Sequence, residues 1–416
     1  MRYAITGATA QQVKNAGGTD IKEARSTGII FATLTETQVT QLKAMGCQIT
    51  LVGKVSAAIS PPVAPPTPIA AAPTYTPEQL ITAAGIDAVR ALTEPPLYGE
   101  GFNLAIVDTG IRETHEKING RVVYRKNYTS DPMRDDFNHG TGTCSIALAV
   151  APLCNILNMK VLGSKGEGTE EEAILAVDDC ISLWDTQPDI APRVINLSLG
   201  SPDDGNPNNP LRVACRAAID KGIWVAAAAG NDGPAPGTIM SPACERYVMA
   251  IGSTSYEPFL VSNFSSRGPT KEGLIKPDVV LFGEGIIMAS SSSDTATIAK
   301  SGTSFATPLG AGAAILYNEG YVRRAMPTQA LPGVYPELGI WIGAQDLEKY
   351  LGACCVKPQG TPGGKDNDYG YGLPFGTLIA QIFQVRPAVD ISALLLPVVA
   401  IGMMGMVMST MTKALD

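Results

Sequence analysis

The stretch that most constrains the fold and the chemistry of this chain is residues 302–308, Gly-Thr-Ser-Phe-Ala-Thr-Pro, together with the small residues that follow it. The run Leu-Gly-Ala-Gly-Ala-Ala at 309–314 predicts a helix that packs very close to its neighbours. Ser304 then lies among the unpaired N–H groups and the positive dipole end of that helix. This position suits a nucleophile whose reaction generates an oxyanion. Taken alone, however, a Gly-Thr-Ser turn indicates ordinary helix capping.

Two further motifs lie upstream of this stretch. An apolar run at residues 104–107 predicts a buried strand, and Asp108 falls where it ends. In open α/β sheets, ligand-binding and catalytic residues lie at the carboxyl ends of the strands. His139, one of only two histidines, precedes Gly-Thr-Gly-Thr-Cys and a helix-like apolar stretch. Aspartate, histidine and serine in this order form one of the chain orders known for a serine triad.

With these motifs the chain resembles the subtilase family of serine proteases over roughly residues 76–380. Residues 194–200, 226–234, 265–269 and 276–278 also match family stretches. The resemblance implies a subtilisin-like α/β fold, in which a parallel sheet carries helices on both faces. The order of strand-like and helix-like segments from residue 78 onward independently favours such a sheet.

The resemblance also implies roles for four residues. Ser304 would attack the peptide carbonyl, His139 would move the proton, and Asp108 would orient the imidazole. Asn231 resembles the oxyanion residue of the family and would donate alongside the Ser304 N–H. Singly, Asp108 and Asn231 are more simply explained as turn residues, but the coincidence of all four favours catalysis. We expect His115, the second histidine, to be structural.

Substrate-binding positions follow from the same resemblance. An extended polypeptide should lie along Ser198, Leu199 and Gly200 as an added strand. The pocket for the residue before the cut bond would have walls that include Ala228 and Gly230, and Met240 on its floor. Because many relatives have glycine at that floor position, Met240 should shorten the pocket and favour small or medium apolar residues. The other possibility is that Met240 points into the core.

The sequence predicts no required cofactor and no metal ligand set. The calcium loop that interrupts the helix after the catalytic histidine in many secreted subtilases has no room here, because residues 144–152 run straight toward the next strand. A weaker calcium site built from loop carbonyls stays open. The formal charge of −8 and the lack of a basic patch argue against a nucleic-acid partner.

Residues 1–55 predict a separate module. Its strand and helix candidates alternate as β-α-β-β-α-β, which is a ferredoxin-like order, and residues 35–38 carry a capping-box pattern. The module looks like the propeptide that subtilases carry as folding aid and inhibitor; an unrelated accessory domain is the alternative. Residues 56–75, rich in proline and alanine, predict an extended linker. We expect self-cleavage within residues 55–59, before the prolines.

Residues 391–412 carry no charge and are long enough for one bilayer crossing. They predict a C-terminal membrane anchor, with an apolar helix packed on the enzyme as the alternative. The N-terminal residues have no apolar signal-peptide core, and the side of the membrane is left undecided. The eight cysteines show no framework spacing and are expected to be buried thiols.

The leading hypothesis is therefore a self-processing serine endopeptidase of polypeptides, held inactive by its own propeptide and tethered to a membrane. Two alternatives stay open. One is a non-catalytic protein that keeps the subtilase fold for binding, against which the four intact site residues argue. The other is a peptide ligase that uses the same acyl-enzyme, which no residue distinguishes from a hydrolase.

Overall fold

The structure is a computed structural model that describes residues 1–58, 73–325, 354–374 and residue 376. The N-terminal module, residues 1–51, contains β1 (Arg2–Thr6), α1 (Ala10–Asn15), β2 (Thr19–Ala24), β3 (Ile29–Thr33), α2 (Glu36–Ala44) and β4 (Gln48–Leu51). Its four strands form one antiparallel sheet in the order β2-β3-β1-β4. The predicted capping box is present at the start of α2, where Thr35 and Gln38 bond each other's backbone N–H groups. This is the predicted ferredoxin-like arrangement.

The rest of the chain alternates strands and helices. Its elements are β5 (Lys54–Ala57), α3 (Pro77–Ala83), α4 (Ile86–Arg90), β6 (Asn103–Asp108), β7 (Val122–Asn127), α5 (Gly140–Val150), β8 (Asn155–Lys160), β9 (Glu167–Thr169), α6 (Glu170–Thr186), β10 (Val194–Leu197), β11 (Leu199–Pro202), α7 (Pro210–Asp220), β12 (Trp224–Ala228), β13 (Met240–Ser241), β14 (Met249–Thr254), β15 (Val279–Phe282), β16 (Ile286–Ala289), β17 (Thr297–Lys300), α8 (Thr303–Ala325), β18 (Cys355–Val356) and β19 (Leu373–Pro374).

Seven of these strands form the central sheet, in the order β15-β14-β12-β10-β6-β8-β7, and every neighbouring pair is parallel. Side chains alternate between its faces, as strand geometry requires. Leu104 and Ile106 belong to the apolar cluster that includes residues of α3, α4, α5 and α8, whereas Ala105 and Val107 belong to the cluster that includes residues of α6 and α7. The α/β fold with helices on both faces is therefore confirmed.

The small residues of α8 explain how closely it packs. A methyl group placed on Gly312 would lie 2.7 Å from Cβ of Val150 in α5, and one on Gly310 would lie 2.5 Å from Cδ1 of Ile251 in β14. Neither distance is possible for a real side chain, so glycine is required by space at both positions. The helix is thereby held in the centre of the molecule, and its N-terminal end is fixed at the edge of the sheet.

The sheet of the N-terminal module has two buried faces. One face packs on α1 and α2 through residues such as Ile5 and Leu42. The other carries Ala24, Ile29 and Phe31, which join the apolar cluster around α6. The module is therefore docked through an apolar surface on the rest of the chain, at α6.

Polar contacts with α6 surround that apolar surface. Arg2 binds Glu171 through Nε–Oε2 (2.5 Å) and Nη2–Oε1 (2.8 Å), and Lys22 binds the same carboxylate at 2.9 Å. The Thr27 N–H donates to Asp178 at 2.8 Å. Burial by itself would raise the pKa of Glu171, but the bonds from Arg2 and Lys22 more than offset it, so that this pKa lies below its usual value.

The extended strand β5 runs beyond residue 55, where the linker was expected to begin, and residues 59–72 of that linker lie outside the described chain. The predicted anchor at 391–412 also lies outside it, and none of the described helices is long and apolar enough to cross a membrane. All eight cysteines are free thiols, and seven of them are buried.

Candidate active site

Asp108 and His139 form a buried pair at the carboxyl edge of the sheet. Asp108 is the last residue of β6, and His139 is the N-cap of α5. The His139 Nδ1 atom lies 2.7 Å from Asp108 Oδ1, and both side chains are at most 1% exposed. Because a carboxylate only accepts, Nδ1 is the donor of this pair, and in the neutral imidazole Nε2 carries the lone pair. That Nε2 is buried and has no hydrogen-bond partner among the described residues.

Asp135, which the sequence analysis did not single out, holds the histidine segment in place. Its carboxylate accepts from the backbone N–H groups of 137, 138, 139 and 141, at 2.8 to 3.4 Å. It also accepts from the Thr109 hydroxyl at 2.8 Å, and that hydroxyl in turn accepts from the Gly140 N–H. One buried carboxylate therefore caps α5 and links it to the residue that follows Asp108.

Ser304 lies in the first turn of α8 and makes a reciprocal contact with Ser198. Its hydroxyl donates to the Ser198 carbonyl at 2.9 Å, and the Ser198 hydroxyl donates to the Ser304 carbonyl at 2.8 Å. The Ser304 carbonyl is available because Pro308, four residues on, has no N–H to fill the helical bond. The structure thus places the Ser304 hydroxyl on Ser198 rather than on His139.

Asn231 presents an unused donor beside Ser304. Its Oδ1 accepts from the Thr303 N–H at 3.0 Å, and this contact fixes which end of the amide is the oxygen. Its Nδ2 is buried with no partner in the described part of the chain. A buried unsatisfied donor costs about 1–3 kcal/mol and calls for an explanation. This Nδ2 is therefore available to donate to an oxygen atom of a bound molecule.

Residues 54–58, called the tail here, lie extended in a groove that leads to Ser304. Strand β5 pairs antiparallel with β11, with Ala57 opposite Leu199 and Ser56 opposite Gly200. The Ala58 N–H donates to the Ser198 carbonyl at 3.2 Å, and the Ser304 N–H donates to the Ala58 carbonyl at 3.4 Å. The chain's own tail therefore occupies the strand position that was predicted for a substrate.

The groove has a second wall that the sequence analysis missed. Strand β9 pairs with the other edge of β5, with Lys54 opposite Thr169 and Val55 opposite Gly168. The Ala57 N–H also donates to the Gly166 carbonyl at 2.9 Å. The tail is thus the third strand of a four-stranded sheet ordered β13-β11-β5-β9. The Gly-Glu-Gly-Thr sequence at 166–169 has no apolar alternation that would have predicted a strand.

The side chain of Met240 lies against Gly200 and Gly230 and is not part of the buried core. A methyl group placed on Gly230 would lie 2.6 Å from Met240 Cγ, and one placed on Gly200 would lie 3.3 Å from its Cε. The side chain is half-buried, and β13 holds its backbone against β11. Ala228 is the last residue of β12 and lies opposite Ile251 of β14. Its contribution to a pocket wall stays a prediction.

His115 is buried and fully bonded, as a structural residue would be. Its Nδ1 accepts from the Lys117 N–H at 3.2 Å, and its Nε2 lies 2.9 Å from the Ala296 carbonyl. Helix α5 runs unbroken to Val150, and β8 begins at Asn155. Within the described ranges, no three His, Cys, Asp or Glu side chains are grouped like metal ligands. The calcium interpretation stays a prediction.

Comparison with known proteins agrees with this geometry. The sequence profile of the subtilase family matches residues 99–372. The chain is 34% identical over 255 residues to serine protease AprX of Bacillus subtilis (strain 168), which covers 53% of this chain and 57% of the relative. It is 35% identical over 239 residues to an extracellular serine proteinase of Thermus sp. (strain Rt41A), covering 56% and 53%. With subtilisin-like protease 1 of Arthroderma otae the identity is 33% over 248 residues, covering 57% and 48%. The chain thus spans about half the length of these relatives.

Proposed function

The chain belongs to the subtilase family, and from that premise we propose that it is a serine endopeptidase that cuts itself after Ala58. One observation carries the proposal: the Ala58 carbonyl lies in the groove against the Ser304 N–H, at 3.4 Å, on the segment where a substrate strand would bind. The next bond, between Ala58 and Ile59, is the bond that Ser304 would attack. It lies within the interval expected from the sequence.

The proposed reaction uses the groups described above. The Ser304 hydroxyl leaves the Ser198 carbonyl, gives its proton to His139 Nε2 and adds to the carbonyl carbon of Ala58. Asp108 stabilises the imidazolium that forms. The new oxyanion accepts from the Ser304 N–H and from the unpaired Asn231 amide. Collapse expels the amine of Ile59, which takes the proton from His139, and water then releases the acyl group by the same steps in reverse order.

We assign the N-terminal module the role of an inhibitor that the chain carries itself. Its tail lies in the groove with both strand edges paired, to β11 on one side and to β9 on the other. Its sheet docks on α6 through apolar contacts and the Glu171 ion pairs. A polypeptide substrate requires the same strand position, so the two compete. Attachment to a membrane through residues 391–412 is proposed on sequence grounds alone.

The proposed function is tested with a peptide that ends Val-Ser-Ala-Ala before a 4-nitroanilide, and with a fluorophosphonate probe. We expect release of nitroaniline and a probe adduct on Ser304. If neither occurs in protein freed of residues 1–58, the chain is a binding protein that keeps the fold. If an added amine traps the acyl group far better than water does, the enzyme is a ligase.

Replacing Met240 with glycine should widen specificity toward large residues. The side chain that now lies against Gly200 and Gly230 would be gone, so that Phe would fit before the cut bond. We expect the ratio of kcat/KM for Phe over Ala peptides to rise by about ten- to a hundredfold, because each methylene in such a pocket counts for 1–3 kcal/mol.

The matched control for this change is Met240→Leu, which keeps the volume of the side chain and should keep the preference for Ala. Thermal unfolding of both variants checks that the pocket has not simply collapsed. A wild-type enzyme that already prefers Phe or Arg would contradict this account of the pocket.

A further inference from the structure

Glu170, the first residue of α6, closes the end of the groove farthest from Ser304. Its backbone N–H donates to the Gly53 carbonyl at 2.9 Å, and its carboxylate Oε2 accepts from the Gly53 N–H at 3.3 Å. A single residue therefore satisfies both main-chain polar groups of Gly53. Only 5% of Glu170 is exposed, which is unusual for a charged residue unless it binds something.

The Glu170 carboxylate is held in place by neighbours on two other elements. The Ser201 hydroxyl of β11 donates to Oε1 at 3.1 Å, and the Asn209 amide, at the start of α7, donates to the same oxygen at 3.4 Å. Burial raises the pKa of Glu170 even though these groups donate to it. The carboxylate cannot swing away without losing these bonds, so its position is part of the shape of the groove.

That position leaves no room for a side chain on Gly53. A methyl group there would lie 2.9 Å from Cδ of Glu170, and 3.0 and 3.2 Å from its two oxygens. Gly53 is not among the glycines with positive φ, so its backbone conformation is open to any residue. Space against Glu170, and not backbone conformation, therefore explains the glycine.

Counting back from the bond after Ala58, Gly53 is the sixth residue before the cut. We propose that Glu170 forms a subsite that selects glycine at this sixth position in polypeptide substrates, by accepting its N–H and excluding a side chain. This subsite rests on the proposed function, since it concerns the same groove. It implies that preferred substrates, like the tail, carry glycine five residues before the residue whose carbonyl is attacked.

The test uses enzyme freed of residues 1–58 and acetylated hexapeptide nitroanilides of sequence X-Lys-Val-Ser-Ala-Ala. For X we compare glycine, alanine, leucine and N-methylglycine. We expect kcat/KM to fall roughly tenfold from glycine to leucine. A similar fall is expected for N-methylglycine, which removes the donor to a charged acceptor. Equal kcat/KM for all four peptides would overturn the subsite.

Variants separate the subsite from general effects on the protein. In Glu170→Ala both the acceptor and the steric barrier are gone, so glycine and leucine peptides should differ by less than about twofold. The control is Glu171→Gln, which alters the neighbouring carboxylate that contacts Arg2 and Lys22 rather than the tail. This control should keep the wild-type preference. A preference that survives in Glu170→Ala assigns selection to another residue and overturns the proposal.

The tetrapeptide Val-Ser-Ala-Ala nitroanilide does not reach Glu170. It therefore distinguishes failure of the subsite from failure of the proposed function. If the wild-type enzyme cuts it but shows no preference among the hexapeptides, only the subsite is wrong. If the enzyme cuts neither tetrapeptide nor hexapeptides, the proposed function fails and the subsite fails with it.

Discussion

Replacing Ser304 with alanine should leave the chain uncut at the bond after Ala58 and lower peptide cleavage by about 10⁶-fold, the size of the loss when a subtilisin loses its triad serine. The reason is that the Ser304 hydroxyl belongs to the residue whose backbone N–H donates to the Ala58 carbonyl, whereas the neighbouring Thr303 hydroxyl donates to Asn231. Without this hydroxyl, the site has no nucleophile from which His139 could accept a proton.

Intact mass and N-terminal sequencing of the purified protein provide the measurement. The wild-type chain should yield a new N-terminus at Ile59, and Ser304→Ala should not. Ser255→Ala is the matched control, because that hydroxyl bonds only backbone carbonyls in a distant turn. If Ser304→Ala alone were cut at the same bond at the wild-type rate, self-processing would be refuted.

Replacing Asn231 with alanine should lower kcat by about 10²–10³-fold, the magnitude measured for the oxyanion asparagine of a subtilisin. The structure gives a reason for a loss of this kind, because the Nδ2 group has no hydrogen-bond partner among the residues that the structure describes. A donor that is used only when the oxyanion forms should change kcat and leave KM nearly unchanged.

Steady-state kinetics on the tetrapeptide measures this effect, with the exposed Asn119→Ala as control. The change also removes the acceptor of the Thr303 N–H, so a loss of stability of about 1 kcal/mol is expected and thermal unfolding should be recorded beside the kinetics. A raised KM with unchanged kcat would mean that Asn231 binds the ground state instead.

The order of elements and the Asp108–His139 pair were predictable because both depend on local sequence motifs. The apolar runs at β6, β8, β10 and β12 predicted a parallel sheet, and the motifs around Asp108 and His139 predicted a pair that the structure places 2.7 Å apart. Boundaries were predictable only approximately, as at β5, which continues to Ala57 although the linker was expected to begin at residue 56. Strand and helix ends depend on caps and packing partners that periodicity does not encode.

Features that depend on distant partners were not predictable. Strand β5 consists of Lys-Val-Ser-Ala, which has little intrinsic strand preference, and becomes a strand because β11 and β9 lie on either side. Asp135 looked like one of several acidic loop residues, and only the folded chain turns five donors toward it. The contact between Ser304 and Ser198 depends on Pro308 freeing a carbonyl, which no local pattern reveals.

The way in which β5 enters the groove has a consequence for how the proposed protease would become active. As long as the chain is continuous, tail and groove are held together at a high effective concentration, which neither dilution nor time can lower. A cut after Ala58 turns this into a complex of two separate molecules, in which occupancy depends on total protein. The first enzyme to lose its fragment can then digest the fragments of others, so that activation would begin slowly and accelerate with its own product.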